Sequence, residues 1–222
     1  GAGNVSVGAG SLSANTTAGT NTAVGYACLT SNTTGANNTA LGRSALGANT
    51  TATGNVGVGY KVLEDNTTGH SVTAVGAYAL GNNTSGTDNT AGGYSANGLN
   101  TTGIRNTSLG LEANRSKTTG SNSVAVGFQS LYYNTTSDNN TAVGWQAGFN
   151  TSTGQANTTL GRSAGDVTTT GSYNTSLGYF ADPSSATASG EFTLGDTNVA
   201  TLRCNDTSIS SLSDERDKTD VV

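Results

Sequence analysis

The apolar positions of this chain recur on a fixed beat. A four-residue pattern of the type Asn-Thr-Ala-Val runs into a glycine at Gly8, Gly25, Gly42, Gly59, Gly76, Gly93, Gly110, Gly127, Gly144, Gly161, Gly178 and Gly195, and every gap is 17 residues. Counting from that glycine, position minus one is Val or Leu in eleven of twelve copies, and minus three is Val or Thr in eleven, with Phe192 in the last. A strand alternates faces with period two, so these two positions share a face, and β-branched residues suit it. That face is expected to be the core face. Plus four is often Leu (Leu12, Leu29, Leu46, Leu63, Leu80, Leu131), and plus three is usually small (Ala45, Ala79, Ala96, Ala113).

The polar positions are as regular. Asn stands at minus four in nine copies, from Asn4 to Asn174, and a second corner reads Asn-Thr-Thr-Gly, as in Asn32 to Gly35 and Asn66 to Gly69. Asn and Gly tolerate the positive φ of tight corners, and stacked Asn side chains form hydrogen-bonded ladders. Seventeen residues with two corners cannot house a helix of useful length. Disordered low-complexity sequence has no reason to hold such a register, whereas a solenoid does, because one extra residue in a coil displaces every neighbour. The pattern therefore predicts an all-β fold over residues 1–195: a parallel β-solenoid, or β-roll, of twelve 17-residue coils with two short strands each. At ~4.8 Å per coil the rod is roughly 55 Å long.

Such a rod is thin. Each coil offers few apolar side chains, while ordering each residue costs ~1–2 kcal/mol, so burial by oligomerisation is expected. Position minus two, uniformly small from Ser6 and Ala23 to Thr193, is the expected subunit contact.

Composition sharpens this picture. Gly (32), Asn (25), Thr (39) and Ser (25) make up over half of the 222 residues, and charged residues are only 10%. The net charge of −5 argues against nucleic-acid binding, which needs a basic stripe. No run of ~20 apolar residues suggests membrane insertion. The chain opens on Gly1 and reads as a piece of a longer one. Thirteen of the 23 charged residues fall in 1–190 and ten in 191–222, which marks a boundary near the last repeat.

The Asn-Thr-Ala-Val-Gly motif, over residues 4–195, resembles the head repeats of trimeric autotransporter adhesins and those of bacteriophage tail fibres. The resemblance implies left-handed parallel β-rolls with three chains to a rod. The adhesin motif is a few residues shorter per coil. The stretch Ser211-Leu-Ser-Asp-Glu-Arg-Asp-Lys-Thr-Asp220 looks like the entry into the intramolecular chaperone that ends endosialidase-type tailspikes and tail fibres. That resemblance implies self-cleavage of the parent chain between Ser213 and Asp214, with Ser213 as nucleophile and Lys218 as its base. It divides the chain into a shaft (1–195), a neck of short strands (196–213) and the start of a truncated or removed chaperone (214–222). The chain is then a structural shaft segment of a homotrimeric viral tail fibre. Its partners are other tail proteins and a host-surface receptor, possibly a glycan. The alternative is an adhesin head at a bacterial cell surface.

Other chemistry is sparse. Cys28 and Cys204 lie too far apart along a straight rod for a disulfide, and Cys28 should fill a core slot. His70 reads as a solvated corner, and no spacing suggests a metal site or a cofactor. The aromatics at plus one (Tyr26, Tyr60, Tyr94, Trp145 and Tyr179, with Phe128) are weak candidates for sugar contact, against the plainer expectation that they pack between coils or chains. Stacked Thr pairs such as Thr33-Thr34 resemble ice-binding arrays, although their corner placement works against a flat face. A glycan-cleaving enzyme needs two carboxylates ~5–9.5 Å apart. Glu64, Asp65, Asp88, Glu112, Asp138, Asp166 and Asp182 fall at scattered positions, so no enzyme is expected.

Overall fold

Every seventeenth residue pairs with its equivalent. In a computed structural model, which describes residues 1–201, twelve three-residue strands run from β1 (Val5–Val7) to β12 (Phe192–Leu194) in one parallel sheet whose spatial order is the sequence order. The register is constant: Val5 lies opposite Thr22, Thr73 opposite Thr90, and Leu177 opposite Leu194. Eleven full turns therefore separate the first strand from the last, and the described residues contain no helix. Backbone bonds link equivalent corners as well, as in Leu12 N to Cys28 O and Leu46 N to Val62 O, both 3.0 Å.

Each coil carries one strand, not the two that the sequence pattern suggests. The rest of the coil is turned. Positive φ recurs at plus two, plus four and plus twelve, for example Ala27 (55°), Leu29 (47°) and Asn37 (59°). An extended run cannot pass through such residues. Left-handed backbone costs a non-Gly residue about 1–2 kcal/mol, so the stack must supply the stabilisation that holds them. The repeat glycine is fixed twice over. Gly42 has φ +129°, and a Cβ there would lie 2.3 Å from the Gly59 carbonyl oxygen of the next coil.

The inside and outside of the strand are reversed from expectation. The middle residue, at minus two, points into the lumen: Ala23, Ala40, Ala74, Ala125 and Ala142 are wholly buried. The flanking residues face out, with Val7 57%, Leu41 45% and Leu160 52% exposed. The period-two argument gave the right pairs but the wrong side. The lumen is too narrow for a column of Val and Leu beside the Leu column at plus four, so only Ala, Ser, Thr or Gly fits at minus two. That position is therefore no subunit contact. Leu29, Leu46, Leu63 and Leu80 fill the lumen against Ala45, Ala79 and Ala96. Cys28 takes a slot in the same core, where burial pushes its thiol pKa up.

Two asparagine ladders line the corners. At minus four, the Asn38 backbone N–H donates to Asn21 Oδ1 (2.9 Å), and Asn38 Nδ2 donates to the Ala52 carbonyl (2.9 Å). At plus seven, Asn49 donates to Asn32 Oδ1 (2.8 Å), Asn66 to Asn49 (3.1 Å), Asn83 to Asn66 (2.8 Å) and Asn100 to Asn83 (2.7 Å). These side chains are fully buried, so each bond satisfies an amide that water cannot reach.

Candidate functional site

The outer face of the sheet is exposed along its length. Val and Leu at minus one, beside Thr or Val at minus three (Phe192 in the last strand), form a stripe along the twelve strands, interrupted at minus one by Gly92. None of the described residues covers it. At ~4.8 Å per strand it is about 53 Å long, and three residues make it about 10 Å wide.

Beside it runs the plus-one column. The five aromatic candidates do not converge on one site. Arg43 lies over both Tyr26 and Tyr60, at 5.7 and 5.8 Å, and Arg162 over both Trp145 and Tyr179, at 4.8 and 5.5 Å. Tyr78 bridges Tyr60 and Tyr94 edge to face, at 5.2 and 5.8 Å, and Phe128 stacks on Trp145. The rings thus pack from coil to coil, and exposed cation–π pairs of this kind contribute ~0.5–1 kcal/mol each. The two arginines stand in the same plus-one column. A hollow of about 250 Å³ opens where Gly81 and Gly98 leave space between Glu64 and Arg115, walled by Tyr78 and Tyr94. His70 is exposed, as expected of a corner.

The acids that the sequence leaves scattered are partly brought together. Burial raises the pKa of both Asp166 and Asp182; the charge of Asp182 raises that of Asp166 further, while backbone N–H groups of Val167, Asp166 and Gly165 oppose the shift at Asp182. They lie in different columns, plus five and plus four, which hides their proximity from a column reading. Asp138 instead accepts the Ser121 N–H at 2.6 Å, and Asp88 accepts from Thr87 at 3.3 Å. Among the described residues no group of three His, Cys, Asp or Glu could hold a metal ion.

One amine lies inside the rod among the described residues. Lys117 stands in coil seven where the plus-seven ladder has Asn, and it is wholly buried. Its Nζ donates to Ser123 Oγ (2.8 Å), Asn134 Oδ1 (2.9 Å) and the Ser137 carbonyl (2.7 Å). Three departures from the repeat meet here: Lys117 for Asn, Ser123 for the minus-four Asn, and Ser137 for Gly. In other coils the plus-ten carbonyl accepts from the minus-four Asn; here the lysine supplies that donor. Desolvation pushes its pKa down to about 7, with the Asp138 charge opposing.

The residues of the expected cleavage site, Ser213, Asp214 and Lys218, most of the expected neck, and Cys204 lie outside the described residues. No helix among the described residues is long and apolar enough to cross a membrane.

The fold defines a class: the chain is a parallel β-solenoid repeat protein. No protein-family model, no curated protein and no solved structure matches it.

Proposed function

We propose that this chain is a shaft segment of a trimeric fibre that attaches a virus to its host. Three copies pack their outer sheet faces around a common axis as left-handed rolls. The observation that carries this reading is the uncovered Val/Leu stripe. A column of Val and Leu repeated along the whole sheet, with Val7, Leu41 and Leu160 about half exposed, is the kind of continuous apolar surface that a partner covers. Identical spacing on every copy lets side chains of neighbours interdigitate coil by coil. The work of such a segment is mechanical: rigid reach and resistance to proteolysis, because stacked strands leave few open edges. Receptor contact, with a glycan among the candidate receptors, and contact with other tail proteins complete this reading. The parent chain would mature by cleavage at Ser213–Asp214 with Lys218 as base, and Ser213→Ala in the parent should then leave it uncut. An adhesin head at a bacterial surface would use the same rod, and a membrane-anchor barrel in the parent chain would favour it.

The test is sedimentation of the purified 222-residue chain. A trimer of 22.0 kDa chains, three times that mass, is expected, and Leu41→Asp with Leu160→Asp should shift it to monomer. A stable monomer at micromolar concentration refutes the reading.

A further inference from the structure

The middle of the lumen holds polar atoms that the protein leaves without partners. In coils six and seven, Asn97 and Asn114 occupy plus four, the column that holds Leu12, Leu29, Leu46, Leu63, Leu80 and Leu131, and Gly148, Gly165 and Asp182 in coils nine to eleven. Both are wholly buried, and neither Oδ1 nor Nδ2 of either has a hydrogen-bond partner among the described residues. Ser108 Oγ and Asn100 Oδ1 are buried and unpartnered too. The last has a clear cause. Each ladder asparagine accepts from the next one along, but after Asn100 the next is Lys117, which reaches away to Asn134, Ser123 and Ser137. Ser108 belongs to the same chamber: at the equivalent position in coil four, a Cβ on Gly57 would lie 3.5 Å from Leu46, eleven residues earlier, and eleven residues before Ser108 is Asn97.

Backbone preference alone does not account for these amides. Asn97 (φ 50°) and Asn114 (φ 54°) sit in left-handed conformation, which Asn tolerates better than Leu. Each, however, leaves two buried carboxamide atoms unpaired, and desolvating both outweighs one relieved left-handed backbone, so partners must come from elsewhere. The flat carboxamide fills less of the lumen than the branched leucine side chain, which leaves room.

We propose that the lumen of coils six and seven is a binding site for ordered water, bridging Asn97, Asn114, Ser108 and Asn100. The mix of groups selects the ligand. Two carboxamide N–H donors, three carboxamide oxygens and a hydroxyl suit a molecule that both donates and accepts. A cation would find neutral oxygens only; an anion would face the three oxygens. A buried water needs 2–4 polar partners, and these groups provide them. The site separates two dry cores, one ending at Ala96 and the other starting at Ala113.

The deciding experiment is a crystal structure of the chain at about 1.5 Å, with bromide and rubidium soaks. Peaks within hydrogen-bond distance of the Asn97 and Asn114 carboxamides and Ser108 Oγ, without anomalous signal, are expected. Carboxamides of Asn97 and Asn114 bonded directly to each other with no peak between them, or an anomalous peak at the site, overturn the proposal. The paired change Asn97→Leu with Asn114→Leu gives an independent reading: it should remove the peaks and raise the melting midpoint by several degrees. A fall in midpoint with folded protein counts against the site.

Discussion

Lys117 is the residue whose chemistry departs furthest from its neighbours. Its amine titrates near 7 in the folded chain because the lumen denies the charge its hydration, against 10.5 for the free side chain. The unfolded chain therefore binds the extra proton between those two values, and stability rises with pH across that window. At 1.36 kcal/mol per pH unit the full span is about 5 kcal/mol, all of it missing below pH 7. Urea melts at pH 6.5 and pH 9.5 should show the rise in the native chain and a much smaller one in Lys117→Met. The repeat glycine offers a second residue-level contrast. Gly42→Ala drives a Cβ into the Gly59 carbonyl and should cost at least about 3 kcal/mol. Gly54 also has positive φ (70°), but open space surrounds it, so Gly54→Ala should cost only about 1 kcal/mol in the same melts. The lysine's burial was legible in principle, since Lys117, Ser123 and Ser137 all break their columns within two coils. The charge on the residue, which ordinarily means solvent, concealed it.

At the scale of the coil, stability rests on ladders as much as on leucines. Asn66 donates to Asn49 Oδ1 and to the Gly69 carbonyl, and it accepts from Asn83. Asn66→Ala strands Asn49 Oδ1 and one N–H of Asn83, while the Gly69 carbonyl keeps its bond from Asn55, and a loss of about 2 kcal/mol or more is expected from chemical denaturation. The length of the coil, its corners and its parallel stacking were all readable, because the spacing between Gly8 and Gly195 never slips. Three things were not. Alternation in Thr-Ala-Val says which residues share a face, but the width of the lumen decides which face is inside. Leu29 in left-handed backbone contradicts its own preference, so no propensity argument places the turn that ends the strand. Arg43 and Arg162, spaced between rings, acquire meaning only once the coils are stacked.

For the whole molecule, the constant register makes length adjustable in fixed steps. Deleting residues 73–89, one full coil, should leave a folded rod shortened by ~4.8 Å in small-angle scattering, because every remaining strand keeps an equivalent neighbour. Deleting 73–88 instead puts each later residue out of step with the coil below, and the melt should broaden or vanish. The site that the sequence emphasised most, at Ser213 and Lys218, rests on the resemblance, whereas the outer stripe follows from the fold.

The repeat glycine has a consequence for how such solenoids change over generations. Each glycine is locked by the carbonyl of its neighbour, so substitutions within a rung are punished, while gain or loss of a whole rung in the gene, 17 codons at a time, meets no such resistance. Lineages carrying this repeat should therefore differ more readily in reach than in the chemistry of their rungs.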